Sequence, residues 1–126
     1  MITGIGSDIV KTGRVRDLAM RWGDRFLARV FSKDELEIAR SRSGSDEKFY
    51  GTLAKRWAGK EAVGKALGIG IWRLGLSNIS IVTGENGRPV VRFSGRAAEI
   101  AKGVTVHISL TDDDGMAMAF AVAEKR

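Results

Sequence analysis

The sequence predicts one α+β domain in which a largely antiparallel sheet packs with one long helix and several shorter ones. The chain has 126 residues, the length of one domain, so we expect residues 1–126 to form a single unit. Some apolar segments follow the helical period and others alternate as half-buried strands do. Helices mixed with hairpins in this order are typical of the α+β class.

The opening segment predicts a strand followed by a helix. Residues 2–10 are β-branched and interrupted by glycines, which we interpret as a strand. Over 14–30, apolar side chains recur at helical spacing and form a stripe that we expect in the core, at Val15, Ala19, Trp22, Phe26 and Val30. A second stripe at helical spacing lies beside the first on the same helix. It is basic apart from one leucine and consists of Arg14, Leu18, Arg21, Arg25 and Arg29.

The middle of the chain predicts two more helices. Ser32 followed by Glu35 is a capping box, which marks the start of a helix. Asp46 and Glu47 suit the positive N-terminal end of the longest helical pattern, and Gly68 supplies its stop. The predicted elements are a helix over 33–41, a loop over 42–45 and a helix over 46–67.

The second half predicts two hairpins with a short helix between them. Asn86 and Gly87 mark the turn of the first hairpin, and an acidic run that ends at Gly115 marks the second. The acidic run lacks the ligand spacing of a calcium loop, so we expect a solvated turn. The predicted elements are strands over 76–82 and 90–93, a helix over 96–102, and strands over 104–110 and 116–122.

Composition limits the classes of function. The chain has no cysteine and one histidine, which excludes a disulfide framework, a thiolate metal site and a multi-histidine cluster. We see no apolar run long enough to span a membrane and no leader, so we expect a cytoplasmic protein without a membrane partner. The net charge of +6 lies entirely between Lys11 and Lys60, where 13 Lys/Arg stand against seven Asp/Glu. That half is expected to meet an acidic partner, a solvated basic face being the alternative.

One face of the longest predicted helix carries candidate chemistry. Trp57, Glu61 and Lys65 follow one another at intervals of four, so they share a face. A Glu-Lys pair at this spacing is by itself typical of a solvated surface and is worth about 0.3–0.5 kcal/mol. However, Gly59 and Gly64 each cost ~1 kcal/mol relative to alanine inside a helix. Their presence beside a stripe of alanines predicts that another backbone or a ligand lies close to this helix.

A second carboxylate, Asp8, completes a Gly-x-Gly-x-Asp string near the end of the first strand. It is either a turn aspartate that accepts backbone N–H groups or, with Glu61, a ligand for Mg²⁺. Mg²⁺ suits such a pair because it takes one or two protein carboxylates and completes its shell with water and phosphate oxygens. His107 shares one side of its strand with Ser109, and a packed, hydrogen-bonded role is the simplest interpretation for this histidine.

These residues resemble the holo-acyl-carrier-protein synthases, the small bacterial 4′-phosphopantetheinyl transferases. The most specific match is the stretch Trp57-Ala58-x-Lys60-Glu61-Ala62-x-x-Lys65-Ala66, which is correctly spaced from the string containing Asp8. The matching segments run nearly end to end, at residues 4–10, 25–35, 53–70, 86–89 and 107–110. The resemblance implies the 4′-phosphopantetheinyl transferase fold for the whole chain.

The resemblance also implies a reaction. Members of this family transfer the 4′-phosphopantetheine arm of coenzyme A to a serine of apo acyl carrier protein, release adenosine 3′,5′-bisphosphate and support fatty acid biosynthesis. It implies that Asp8 and Glu61 hold Mg²⁺ and that Lys65 lies at the transferring phosphate. Glu61 is also a candidate acceptor of the serine proton. The family is trimeric, with a site at each subunit interface.

Further residues receive roles through the same resemblance. Coenzyme A is expected to contact Arg56, Lys60, Lys65, Gly68, Gly87, Arg88, Pro89, His107 and Ser109. The acidic helix of the carrier protein is expected to dock on Arg14, Leu18, Arg21 and Arg25. An interface between subunits along the long helix would account for Gly59 and Gly64.

The chain departs from the family pattern at three positions. Asp112 stands where many members have a second histidine, which leaves the identity of the general base open. Trp57 replaces the more usual phenylalanine, and Gly64 replaces a common serine or alanine. The alternative function is a non-catalytic basic domain that binds nucleic acid or an acidic protein. Nucleic-acid binding predicts stacking aromatics on the basic face, and the few aromatic residues here do not favour it.

Overall fold

The computed structural model describes residues 1–42 and 44–126 and arranges them as two antiparallel sheets around one long helix. In chain order the helices and strands are β1 (Ile2–Lys11), α1 (Thr12–Val30), α2 (Lys33–Ser41), α3 (Asp46–Leu67), α4 (Ile71–Leu74), β2 (Ile79–Thr83), β3 (Pro89–Phe93), α5 (Gly95–Ile100), β4 (Val104–Asp113) and β5 (Met116–Lys125). The strand order is β1-β5-β4 in the larger sheet and β2-β3 in the smaller one. All of these strand pairs are antiparallel, as the sequence predicts.

The larger sheet packs against α3 through small residues. Alternate residues of β5 are buried, namely Ala117, Ala119, Ala121 and Ala123. On β1, Gly6 brings the strand backbone onto the helix, since a Cβ there would overlap the carbonyl oxygen of Ala62 and lie 2.8 Å from the backbone nitrogen of Ala66. The close backbone approach predicted for the long helix is therefore present, and it depends on a glycine of the strand.

Gly59 and Gly64 of α3 are explained by contacts within this chain. A Cβ at Gly59 would overlap the end of the Ile81 side chain and lie 3.1 Å from Cδ1 of Ile108. A Cβ at Gly64 would lie 2.9 Å from Cγ2 of Ile71. The two glycines make room for the strands and for α4, so the subunit interface expected at these positions is not needed to account for them.

Helix α1 is interrupted at Gly23, whose φ of 64° lies in the left-handed region. Val15 and Ala19 are buried before the interruption, and Leu27 is buried after it. Trp22, predicted to lie in the core stripe, is instead 59% exposed. That prediction is wrong because it assumes one continuous helix, whereas the helix breaks immediately after Trp22 and the buried residues beyond the break are Leu27 and Val30.

The helix boundaries in the middle of the chain follow their sequence signals. The side chain of Ser32 accepts from the N–H of Glu35, and the Glu35 carboxylate accepts from the N–H of Ser32, so the predicted capping box is present. Helix α3 begins after Ser45, whose side chain caps its first turn, and ends at Gly68 with a φ of 70°. Ser43, in the predicted loop, lies outside the described residues.

The second half keeps the predicted order of elements. The first hairpin turns at Asn86 and Gly87, both with positive φ. The strand predicted from residue 76 begins instead at Ile79, because residues 76–78 form a 3₁₀ turn. The sequence does not predict the four-residue α4. None of the helices described has an apolar stretch of the length that crosses a bilayer.

Candidate active site

Asp8 lies on the side of β1 that packs against α3. Side chains alternate along a strand, so Asp8 shares its side with Gly6 and Val10, both of which are buried. At Gly6 the strand contacts the helix so closely that a Cβ would lie 2.7 Å from Cβ of Lys65. Asp8 is the next residue on that side, and its carboxylate therefore reaches the C-terminal half of α3.

Lys65 links this carboxylate to the helix. Its ammonium donates to the carbonyl oxygen of Ser7 at 2.9 Å and to Oδ1 of Asp8 at 3.5 Å. The side chain of Lys65 is 57% exposed and that of Asp8 is 21% exposed. Ion pairs this open to water contribute little to folding, about 0–1 kcal/mol. The structure thus brings together two of the three predicted catalytic residues, at a place where a ligand can reach them.

Glu61 lies one helical turn before Lys65, and the two side chains line one cavity. The cavity has a volume of about 460 Å³ and is formed by α3, the glycine turn at residues 68–70, and Trp72. Oε1 of Glu61 accepts a hydrogen bond from the indole N–H of Trp57 at 3.4 Å. The predicted shared face of Trp57, Glu61 and Lys65 is therefore present.

Asp8 and Glu61, the predicted ligands of Mg²⁺, both contribute carboxylate oxygens, the type of donor that Mg²⁺ prefers. Within the described part of the chain, no group of three or more His, Cys, Asp or Glu side chains is placed to hold a metal. A cation at this site therefore takes at most two carboxylates from the described residues. Mg²⁺ is usually bound in this way, with water and substrate phosphate oxygens as the other ligands.

Lys60 precedes Glu61 but does not face the cavity. Its ammonium is fully buried and donates to Oε1 of Glu35 at 2.6 Å, to the carbonyl oxygen of Leu76 at 2.9 Å, and to that of Ile79. Burial lowers the pKa of Lys60, and the neighbouring Glu35 carboxylate opposes that shift. All three ammonium protons are used inside the protein, so none is left for coenzyme A, contrary to the prediction.

Arg56 is also inside the protein, with 2% of its surface exposed. Its guanidinium donates to the carbonyl oxygens of Ile81 and Thr52. The carboxylate of Glu35 completes this buried network by accepting from the N–H of Ile81 at 2.9 Å. Arg56 therefore joins α3 to β2, contrary to the prediction that it binds coenzyme A. The sequence indicates only the helix-capping role of Glu35, because Lys60 lies 25 positions away and no local pattern joins them.

Four of the predicted coenzyme A contacts line a second space, between the two sheets. β3 and β4 belong to different sheets and leave a cleft of about 720 Å³ between them. Arg88, Pro89, His107 and Ser109 line this cleft. The ring of His107 lies 3.2 Å from Oε1 of Glu124, and this hydrogen bond lowers the pKa of Glu124. Of the other predicted contacts, Gly68 lines the cavity of Glu61 and Lys65, and Gly87 lies in the exposed hairpin turn.

The basic stripe of α1 forms one side of a groove. Arg14, Leu18 and Arg21 line it together with the turn between β4 and β5, and its volume is about 700 Å³. Arg25 lies beyond the interruption at Gly23 and is not part of the groove. Three of the four residues predicted to dock the carrier protein are thus adjacent, and the fourth lies apart from them.

Comparisons with known proteins identify relatives of this chain. A model of the 4′-phosphopantetheinyl transferase superfamily matches residues 4–121. The chain is 44% identical to the holo-[acyl-carrier-protein] synthase of Cereibacter sphaeroides strain ATCC 17029, over 100% of this chain and 95% of that protein.

Solved structures match along the whole chain as well. The crystal structure of the holo-[acyl-carrier-protein] synthase from Neisseria meningitidis matches with a TM-score of 0.85 and 33% identity, over 99% of this chain and 100% of that one. The Helicobacter pylori enzyme, in complex with coenzyme A, matches with a TM-score of 0.81 and 27% identity, over 95% and 99% of the two chains. The predicted α+β fold and family are confirmed. This chain belongs to the 4′-phosphopantetheinyl transferase superfamily.

Proposed function

We propose that this protein is a holo-acyl-carrier-protein synthase. It transfers the 4′-phosphopantetheine arm of coenzyme A to a serine of apo acyl carrier protein and releases adenosine 3′,5′-bisphosphate. The observation that carries the proposal is that the Lys65 ammonium contacts the Asp8 carboxylate, while Lys65 and Glu61, one helical turn apart, line an open cavity. The full-length relatives bear this name, and the Helicobacter pylori relative binds coenzyme A.

In the proposed reaction the serine oxygen forms a bond to the β-phosphorus of coenzyme A while the bond from that phosphorus to the bridging oxygen breaks. Mg²⁺, held by Asp8 and Glu61, would neutralise charge on the pyrophosphate oxygens. Lys65 holds the transferring phosphate with an exposed ammonium that is already positioned by Ser7 and Asp8. Glu61 accepts the serine proton. Catalysis of phosphoryl transfer depends mainly on positioning the reacting groups and on neutralising charge, and these residues supply both.

The cleft between β3 and β4 is the proposed site for the nucleotide end of coenzyme A. Arg88 offers a guanidinium to phosphate oxygens, and His107 offers a ring that is 60% exposed. The cleft shares no lining residue with the cavity of Glu61 and Lys65. We therefore propose that each complete site combines the cavity of one subunit with the cleft of another.

An apolar surface on the larger sheet supports this assembly. On the side away from α3, four large side chains are between 44% and 61% exposed: Ile5, Ile9, Met118 and Phe120. A contiguous exposed apolar surface marks a contact with another protein. We propose that it is covered by further copies of this chain in a homotrimer, as the family resemblance implies. Phe120→Asp is expected to lower the mass measured by light scattering to that of one subunit, and a trimer that survives this change argues against the assignment.

The groove on α1 is the proposed docking surface for the carrier protein. Arg14 and Arg21 present positive charge and Leu18 an apolar contact, which together suit an amphipathic acidic helix. This acidic partner accounts for the charge excess of the first half of the chain. We further propose that residues 1–126 act as one domain, in the cytoplasm and in fatty acid biosynthesis.

The test combines the protein with coenzyme A, Mg²⁺ and apo acyl carrier protein, and weighs the carrier by mass spectrometry. The wild type is expected to add one phosphopantetheine arm to each carrier. Asp8→Asn and Glu61→Gln should slow the transfer by roughly 10²-fold or more, since each removes a charge that stabilises the transition state. Asp113→Asn is the matched control and should keep the wild-type rate. An unmodified carrier with the wild-type protein, or normal transfer by Glu61→Gln, contradicts the proposal.

A further inference from the structure

Trp57 makes a polar contact with the carboxylate at the centre of the proposed site. Its indole Nε1 lies 3.4 Å from Oε1 of Glu61, one helical turn further along α3. The four-residue spacing places both side chains on one helix face, so the contact is local in sequence. Hydrogen bonds at reaction sites are often long before the substrate binds. A carboxylate has about four acceptor positions, and this bond uses one of them.

The indole ring is held in place by its neighbours. Phe26 lies 5.7 Å from it between centroids, at 49°, and Phe31 lies 6.5 Å away, edge to face at 84°. The guanidinium of Arg14 lies 5.7 Å from the centroid of the same ring. Aromatic and cation–π contacts are attractive only in particular relative orientations, so together they hold the plane of the ring. The direction of the N–H bond is therefore set by the core.

A fixed N–H matters because Glu61 is a flexible side chain at the edge of a cavity. A free glutamate loses side-chain entropy when a cation holds it in one orientation, and this loss weakens cation binding. A donor from a rigid ring selects the orientation beforehand. It adds no positive charge that would compete with a cation. The other two tryptophans, Trp22 and Trp72, are 59% and 83% exposed and contrast with the half-buried Trp57.

We propose that Trp57 is a positioning residue whose indole N–H orients the Glu61 carboxylate for binding a divalent cation. The inference rests on the proposed function, in which Glu61 and Asp8 hold Mg²⁺. Removing a hydrogen bond that orients a metal-binding side chain typically lowers metal affinity by about 10–100-fold. We expect about 10-fold for Trp57, because its bond is long.

The variant that isolates the N–H is Trp57→Phe, which keeps an aromatic ring in the same packing. Mn²⁺ binding to the full-length protein, measured by electron paramagnetic resonance with and without coenzyme A, should weaken about 10-fold. The Mg²⁺ concentration that gives half-maximal transfer should rise by a similar factor, while KM for the carrier protein stays unchanged. Trp22→Phe, which removes an exposed indole elsewhere, should leave Mn²⁺ affinity as in the wild type.

Nuclear magnetic resonance tests the contact directly. The protein has three tryptophans and hence three indole N–H signals, which Trp22→Phe and Trp72→Phe assign, the remaining signal being that of Trp57. In Glu61→Gln, and in the wild type on addition of Mg²⁺, the Trp57 signal should move while the signal of Trp22, which lies outside the cavity, stays in place. This readout does not depend on transfer activity or on the stability of Trp57→Phe.

The outcomes separate this inference from the proposed function. The positioning role is overturned if a folded Trp57→Phe protein keeps the Mn²⁺ affinity of the wild type, or if the Trp57 signal does not move in Glu61→Gln. This holds even if the enzyme makes holo carrier protein. A wild type that binds Mn²⁺ with the expected dependence on Trp57 but leaves the carrier unmodified overturns the proposed reaction and keeps the positioning role. If Trp57→Phe fails to fold, the signal in Glu61→Gln decides alone.

Discussion

Gly6→Ala should both destabilise the protein and damage its active site, because Gly6 is where β1 crosses α3. The added Cβ would overlap the carbonyl oxygen of Ala62 and lie 2.7 Å from Cβ of Lys65. Ordinary contacts lie at 3.4–4 Å, so strand and helix must separate by about 0.7 Å or more. Asp8 is two residues further along the strand and moves with it.

The expected loss of stability is about 3 kcal/mol. Overpacking a core typically costs about 1–3 kcal/mol, and the upper end applies here because backbone atoms of the helix cannot rotate away. With a urea dependence of about 1–3 kcal/mol per M, the unfolding midpoint should fall by roughly 1–3 M. A displacement near 1 Å at a reacting group can lower the rate by about 10²-fold, so transfer should fall by a similar factor.

Urea unfolding followed by circular dichroism at fixed protein concentration measures the first effect, and the mass-spectrometric assay measures the second. Gly51→Ala is the matched control on α3. A Cβ there meets only Oδ2 of Asp112 at 3.8 Å, an ordinary contact. This control should gain about 0.5–1 kcal/mol, since alanine is favoured over glycine inside a helix. A Gly6→Ala protein with the stability of the wild type, or one that loses stability but transfers normally, refutes the argument that this crossing places Asp8.

Three other predictions concern the buried network, the docking groove and the cleft. Lys60→Met leaves the Glu35 carboxylate buried without its cation and should lower the free energy of unfolding by about 3–5 kcal/mol. Lys55→Met, at a partly exposed ion pair with Asp112, should lower it by less than ~1 kcal/mol, and equal losses would contradict the network. Raising the salt concentration should raise KM for the carrier protein, and Arg21→Ala should weaken that dependence; a salt-independent KM would argue against the groove. Arg88→Ala should raise KM for coenzyme A and leave kcat close to wild type, and an unchanged KM would remove the cleft from the site.

Local sequence patterns predicted most of the helices and strands, because the interactions that begin and end these elements are local. A capping box at Ser32 and Glu35, a helix stop at Gly68 and a turn at Asn86 each involve residues within one turn of one another. Helical spacing likewise placed Trp57 and Glu61 on one face before any tertiary contact was known. The prediction fails at Trp22, because the helix breaks at the next residue, a left-handed glycine that the apolar pattern does not indicate.

The sequence by itself determined the type of fold and the family, because helical and strand periods and the motif at residues 57–66 each lie within single elements. It also predicted Asp8 and Glu61 as metal ligands. Only the tertiary structure decided which basic side chains of α3 are exposed and which are buried. Lys60 and Lys65 look alike in sequence, but one is paired with Glu35 inside the protein and the other with Asp8 at the surface. The partner of each lysine lies 25 or more positions away, so its environment depends on how distant segments pack, which no local periodicity encodes.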